Sequence, residues 1–404
     1  MGNYEKKSGR KLWIYVLLTV LAALVLYLAV PSNHYIVKAL INQLAKIDQY
    51  EIFENRVIKA GNPQPWQFAP GYDQLTFPEK YSQTSQELKT VAFLVIQHDS
   101  IIFEQYYDGY DEKSHSNSFS MAKCVLSLLV GAAIDDGYIQ SVEQPVSNFL
   151  PEWVAYGKDT LTIKHLLTMS AGVDWDESYS SLFSKTTKAY YGNDLWELAQ
   201  TQKIIEKPGV RFNYQSGVSL LIAYLLQKAT GKTVSEYASE KLWTPMGAEH
   251  DALWSLDKKD GMEKAYCCFN SNARDFARLG QLVLNQGNWN GKQLIDSAYI
   301  NAAIAPATWL TYTPKPTEDG QTYEPRPCSF YGYQFWIARY QNMTIPFFRG
   351  ILGQYIFVLP EYDAVVVRLG KDRSKTYNID QNHTIDVETW INAGVEILNA
   401  KSSE

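Results

Sequence analysis

From Leu12 to Val30 the chain carries no charged residue. Nineteen residues at a helical rise of about 1.5 Å span about 28 Å, close to the roughly 30 Å hydrocarbon core, so this stretch predicts one transmembrane helix over 12–30. A second apolar run opens at Ser118-Phe119-Ser120-Met121-Ala122-Lys123 and continues to Ile134 without another charge. It is apolar on nearly every face, which predicts a helix through the middle of a domain, and Asp135-Asp136-Gly137 supplies its stop. Just ahead of it, Val91–Ile96 and Ile101–Tyr107 read as strands joined by a turn at His98-Asp99-Ser100. Residues 31–88 read as a juxtamembrane lead-in with little regular structure.

The middle of the chain reads as helical. Leu161–Met169 is a short amphipathic segment, helical patterns dominate 192–245, notably Ser219–Lys228, and another helix is expected over Ala273–Asn285. Trp309–Tyr331 is a loop rich in Pro and Thr, expected at the mouth of a site. The last third returns to strands at Gly332–Ile337, Thr344–Arg349, Gln354–Leu359 and Ala364–Leu369, whose short turns imply antiparallel pairing, before a final helix from about Val387 to Asn399. Early strands, a helical middle and late strands completing the same sheet describe an α/β domain over 89–404. Its antiparallel sheet is flanked by helices and carries a large helical subdomain.

Charge adds an address. Lys6, Lys7, Arg10 and Lys11 precede the apolar run, so the positive-inside rule leaves residues 1–11 in the cytoplasm and residues 31–404 outside it, which for a bacterial inner membrane is the periplasmic side. A cleaved signal peptide is the rival, but the run is longer than a usual signal core and no clear small-x-small site follows. With a net charge of −6 and no long basic cluster elsewhere, no nucleic-acid partner is expected. The six histidines are scattered and the four cysteines lack metal-ligand spacing, so no metal or cofactor is expected. Adjacent Cys267 and Cys268 are expected to stay unbonded, and Cys124 to be a buried free thiol.

Candidate chemistry gathers on three segments. A serine and a lysine three residues apart on a helix share a face, so Ser120 and Lys123 can touch, and a buried lysine is depressed by desolvation until it can act as a base. In Tyr214-Gln215-Ser216, the tyrosine hydroxyl could shuttle a proton. At Phe348-Arg349-Gly350-Ile351, glycine permits close backbone approach to a substrate, and the Ile351 N–H beside the Ser120 N–H would make an oxyanion hole. Gly-x-Ser-x-Gly is absent, which argues against an α/β-hydrolase elbow. Gly287–Gln293 is too short for a P-loop.

Ser120-Met121-Ala122-Lys123, Tyr214-Gln215-Ser216 and the Gly350 strand occur in the order and approximate spacing of the serine β-lactamase-like superfamily. That superfamily includes class C β-lactamases, D-Ala-D-Ala carboxypeptidases and related esterases. The stretches from His165 to Trp175 and from Asn270 to Gly280 most resemble its 6-aminohexanoate-dimer (nylon oligomer) hydrolases. The resemblance implies the penicillin-binding-protein-like fold, with Ser120 as acylated nucleophile, Lys123 as its base, Tyr214 as proton shuttle and Ile351 in the oxyanion hole. Ser216, Gly350, Asn270 and Tyr179 become candidate substrate-binding residues. Phe348-Arg349-Gly350 replaces the family's Lys-Thr-Gly, and strand alternation puts Arg349 on the opposite face from Phe348. Cys267-Cys268 stands where relatives often carry Gly-Gly, which narrows the site. The expectation is an extracytoplasmic serine esterase or amidase acting on a small-molecule or peptide acyl substrate. A D-Ala-D-Ala carboxypeptidase or β-lactamase is the alternative within the enzymes, and a non-hydrolytic cell-envelope sensor the alternative outside them.

Overall fold

The computed structural model describes residues 5–43, 45–156, 160–314 and 320–401, the side chains of 5–11 and 154–156 excepted. The basic side chains ahead of the apolar run, residues 1–4, and 315–319 of the Pro- and Thr-rich loop therefore lie outside the described residues.

Among the described residues the main sheet has seven strands: β1 (Gln67–Phe68), β2 (Thr90–Gln97), β3 (Ser100–Tyr106), β4 (Trp336–Tyr340), β5 (Met343–Gly350), β6 (Gln354–Leu359) and β7 (Ala364–Gly370). Their spatial order is β4-β5-β6-β7-β2-β3-β1, antiparallel except for the β1–β3 pair. The late strands thus complete the sheet begun by the early hairpin, with Ala364 opposite Gln97. The helices that matter for the site are α1 (Glu5–Ala29), α2 (His34–Asn42), α3 (Ala122–Asp135), α4 (Lys185–Tyr191), α5 (Ser216–Thr230), α6 (Ala273–Leu284) and α7 (Asp386–Lys401).

Two glycines seat helices on the sheet. A Cβ on Gly280 of α6 would lie 2.6 Å from Val365, and one on Gly394 of α7 would lie 2.6 Å from Val366. Neighbouring residues of a strand face opposite ways, so α6 and α7 cover opposite faces of β7. The result is a three-layer α/β/α body, and α3 and α5 build the helical lobe beside it. α3 is buried along nearly its whole length, as its uniform apolarity requires.

Three expectations are corrected. Residues 31–88 are not poor in regular structure: α2 packs against α4, Asn55–Ile58 pairs with Ala252–Ser255, and β1 extends the main sheet. These are short segments whose partners lie far away in sequence, so local patterning did not reveal them. The strand expected from Gly332 begins only at Trp336, because Gln334 takes a left-handed φ of 63°. Ser120 does not lie within the helix but in a tight turn, Phe119–Met121, that leads into it.

α1 is long and apolar enough over Leu12–Ala29 to cross a membrane, and none of that window is buried in the protein. Only Val30 to Asn33 separate it from α2, which is docked by Lys38 Nζ on Asn193 Oδ1 (2.9 Å) and by the Tyr191 hydroxyl on the Gln43 carbonyl (2.9 Å).

Gln334 ties the lobe together. Its buried amide donates to the carbonyls of Leu166 and Leu167 (2.9 and 3.2 Å), its Oε1 accepts from Ser219 Oγ (3.0 Å), and its carbonyl accepts from Cys124 Sγ (3.0 Å). Gln334→Ala strands several buried polar groups, and is expected to lower stability by about 1–3 kcal/mol, read as an earlier chemical or thermal unfolding midpoint.

Candidate active site

The turn carrying Ser120 is held from both sides. The Asn117 side chain accepts the Phe119 N–H (2.8 Å), the Ser118 N–H donates to the Phe269 carbonyl (2.8 Å), and Phe119 sits at φ 44°. A left-handed conformation at a non-glycine residue costs energy that the surrounding contacts must offset, and such residues gather at functional sites. The end of β5 presses on the same turn: a Cβ at position 350 would meet the Ser118 carbonyl oxygen at 2.2 Å, so only glycine lets the backbone come this close. Gly350 and Ile351 consequently line the cleft with Ser120.

One turn along α3, Lys123 is 1% exposed. Its ammonium donates to Ser120 Oγ (3.0 Å) and to the Tyr266 carbonyl (2.7 Å), and it lies 5.1 Å from the Tyr214 ring centroid. Burial pulls its pKa down to about 8, against a smaller upward pull from the Glu177 carboxylate. Tyr214 is pushed the other way: burial first, then Glu177, raise its hydroxyl above the ordinary tyrosine value, while a hydrogen bond with Ser120 lowers it. A lysine able to shed its proton and a tyrosine that holds its own therefore flank one serine hydroxyl.

The cleft above them encloses about 960 Å³. Trp336 stacks obliquely on Tyr214 at 5.5 Å between ring centroids, and the Arg349 guanidinium lies 4.6 Å above the Trp336 ring. Arg349 lines this cleft and Phe348 is wholly buried, as strand alternation predicts.

Ser120, Lys123, Tyr214, Gly350 and Ile351 are thus brought together. Tyr179 lines the same cleft and donates to Glu177 (2.5 Å), and Ser216 donates to that carboxylate through Oγ (2.6 Å) and N–H (2.7 Å). Asn270 is not brought to the cleft: it is fully buried, and its amide donates to the carbonyls of Cys268 (2.9 Å) and Leu253 (3.3 Å). Cys267 and Cys268, expected to stay apart, are joined by a disulfide (S–S 2.10 Å). Cys268 has a left-handed φ of 64°, which breaks the alternation that would otherwise separate neighbouring side chains. Cys124 is a buried free thiol. Sequence reasoning missed Glu177 and the Tyr266 carbonyl. Glu177 stands in an irregular loop without a periodic signal, and a backbone carbonyl has none.

Fold and cleft together define a serine hydrolase. The chain belongs to the beta-lactamase family, whose model matches residues 76–386. It is 25% identical over 326 residues to the 6-aminohexanoate-dimer hydrolase of Paenarthrobacter ureafaciens, a match covering 77% of this chain and 81% of that one. A Bacillus anthracis protein provisionally named a 6-aminohexanoate-dimer hydrolase superposes with a TM-score of 0.70 at 21% identity, covering 87% of this chain and 92% of that one. A family VIII carboxylesterase gives 0.62 at 16% identity, with coverage of 82% and 99%. At such identities these two structures speak for the fold alone.

The depressed Lys123 predicts a pH dependence. A lowered lysine pKa means that the neutral form appears as pH rises through about 8. Labelling of Ser120 by a fluorophosphonate should therefore accelerate across that range, and the inflection should vanish in Lys123→Met.

Proposed function

We propose that the protein is a membrane-anchored, extracytoplasmic esterase or amidase that works through an acyl-enzyme on Ser120. The observation that carries this reading is Lys123, buried, poised near neutral pH and 3.0 Å from Ser120 Oγ at the base of an open cleft. α1 serves as the anchor, a role its length and apolarity support.

Neutral Lys123 takes the Ser120 proton as Oγ attacks the acyl carbon. The N–H groups of Ser120 and Ile351 face the developing oxyanion; one such donor is worth roughly 10²–10³ in rate. The bond to the leaving oxygen or nitrogen then breaks with its electron pair, and that atom takes the Tyr214 proton, which Lys123 replaces. Water attacks the acyl-enzyme, gives its proton back through the same pair, and releases a carboxylic acid with Ser120 restored.

Arg349 favours a second reading. A cation facing the cleft suits a substrate carboxylate, as in a D-Ala-D-Ala peptide. Stable, stoichiometric labelling of Ser120 by penicillin would favour that peptidase, and rapid ester turnover without labelling would count against it.

The deciding assay is hydrolysis of p-nitrophenyl butyrate by the full chain in lipid nanodiscs. Ser120→Ala is expected to abolish turnover above background, and retained turnover would remove Ser120 as nucleophile. Tyr214→Phe is expected to cut hydrolysis of anilides by about 10²-fold or more, but of p-nitrophenyl esters far less, because a good leaving group needs little protonation. Equal losses would contradict the shuttle.

A further inference from the structure

Ser120 stands between two cavities. Besides the cleft already described, a second space of about 830 Å³ opens on the same serine, within the range of ligand pockets. The two share Ser120, Tyr179, Ile351, Arg373, Lys375 and Tyr377. Otherwise they differ in chemistry. The first alone has Arg211, Arg349 and Glu177. The second alone has the apolar and aromatic group Ala39, Leu40, Leu182, Tyr190 and Tyr191, together with Cys267 of the disulfide, and beside them hydroxyl side chains and the Asp372 carboxylate.

Tyr214 gives the two spaces a direction. It lines the first cavity and not the second. A hydroxyl that protonates the leaving group must lie on the leaving group's side of the scissile bond. The polar, cationic cavity therefore receives the leaving group, and the acyl group extends into the other.

That other cavity is walled in part by α2, separated from α1 only by Val30 to Asn33. Around it Leu40, Ile41 and Phe183 are 56%, 73% and 70% exposed. These exposed apolar side chains lie on or next to elements that wall the cavity, and α2, which follows the apolar helix after four residues, is the part of the domain that a bilayer holding α1 would meet first.

We infer that the second cavity, reached past α2, is an acyl-chain site, and that the substrate is an amphiphile whose apolar acyl chain enters from the lipid surface while its polar, anionic leaving group lies against Arg349. This rests on the reading of Ser120 as nucleophile and Tyr214 as leaving-group acid. Turnover breaks the acyl bond at Ser120, so that a free fatty acid leaves past α2 and the polar fragment past Arg349.

Two measurements on the full chain in lipid nanodiscs test this. In the first, kcat/KM is compared for p-nitrophenyl octanoate and butyrate. Burying a methylene is worth about fourfold in binding, so even partial burial of the added chain should favour octanoate by at least about tenfold. Ala39→Trp, which fills the cavity, and Leu40→Asp, at an exposed position where folding is not at risk, should bring the ratio toward one. A flat wild-type ratio, or variants that keep the wild-type ratio, would overturn the inference.

In the second, Ser120→Ala protein is photo-cross-linked with a diazirine-bearing decanoic acid and the adducts are mapped by mass spectrometry. Adducts on Leu40 and on 182–191, reduced by Leu40→Asp, are expected. Adducts confined to α1 would mean that the probe met only bulk lipid, and would overturn the acyl-chain site. Adducts in the cavity with no ester turnover by wild-type protein would uphold the site and remove the hydrolase reading instead.

Discussion

The arrangement depends on an ammonium group taken out of water. Lys123 is enclosed by α3, the Tyr214 and Tyr266 rings and the Tyr266 carbonyl. Bringing its pKa from 10.5 to about 8 corresponds to about 3 kcal/mol against the charged form. That penalty makes the lysine useful, because a freely hydrated ammonium could not surrender its proton near neutrality. It also explains much of the scaffold: a helix buried on all sides, a carbonyl aimed at Nζ, and a left-handed Phe119 that sets Ser120 within reach.

Charge is otherwise distributed around that centre with little direct pairing to it. Glu177 is committed to Ser216 and Tyr179, so its carboxylate acts on Lys123 and Tyr214 through space. It raises both groups, opposing burial at the lysine and reinforcing it at the tyrosine. The contrast beside Ser120, a lysine whose proton is loosened and a tyrosine whose proton is held, comes from two unlike surroundings inside a single cleft.

How much of this could be read from residues alone follows the range of the interactions. The Ser120–Lys123 pair was legible because a three-residue spacing brings side chains together in a tight turn as it does in a helix, and Arg349 was assigned to its face because strand alternation is local too. The hairpin, the buried helix and the late strands were visible for the same reason. Glu177 was not visible, since nothing near it in sequence says that a loop will fold against Ser216. Asn270 was named through resemblance to relatives, and its amide instead secures the Leu253 and Cys268 carbonyls behind the site. α2 was lost in the lead-in because nine residues carry too little periodicity to stand out, and its seat on α4 is a tertiary fact. The Cys267–Cys268 bond needed a backbone angle that no composition announces.

The order of strands has a consequence for how the molecule is made. β2 pairs with β7 from Gln97 opposite Ala364 to Thr90 opposite Gly370, with some two-thirds of the chain looped between them. Contacts so distant in sequence slow folding, because the loop must close before the pairing rewards it. During synthesis the early hairpin emerges with one hydrophobic edge open and has to wait for the C-terminal strands. The nascent domain is thus exposed to edge-to-edge association for most of its elongation, until the C-terminal strands close that edge.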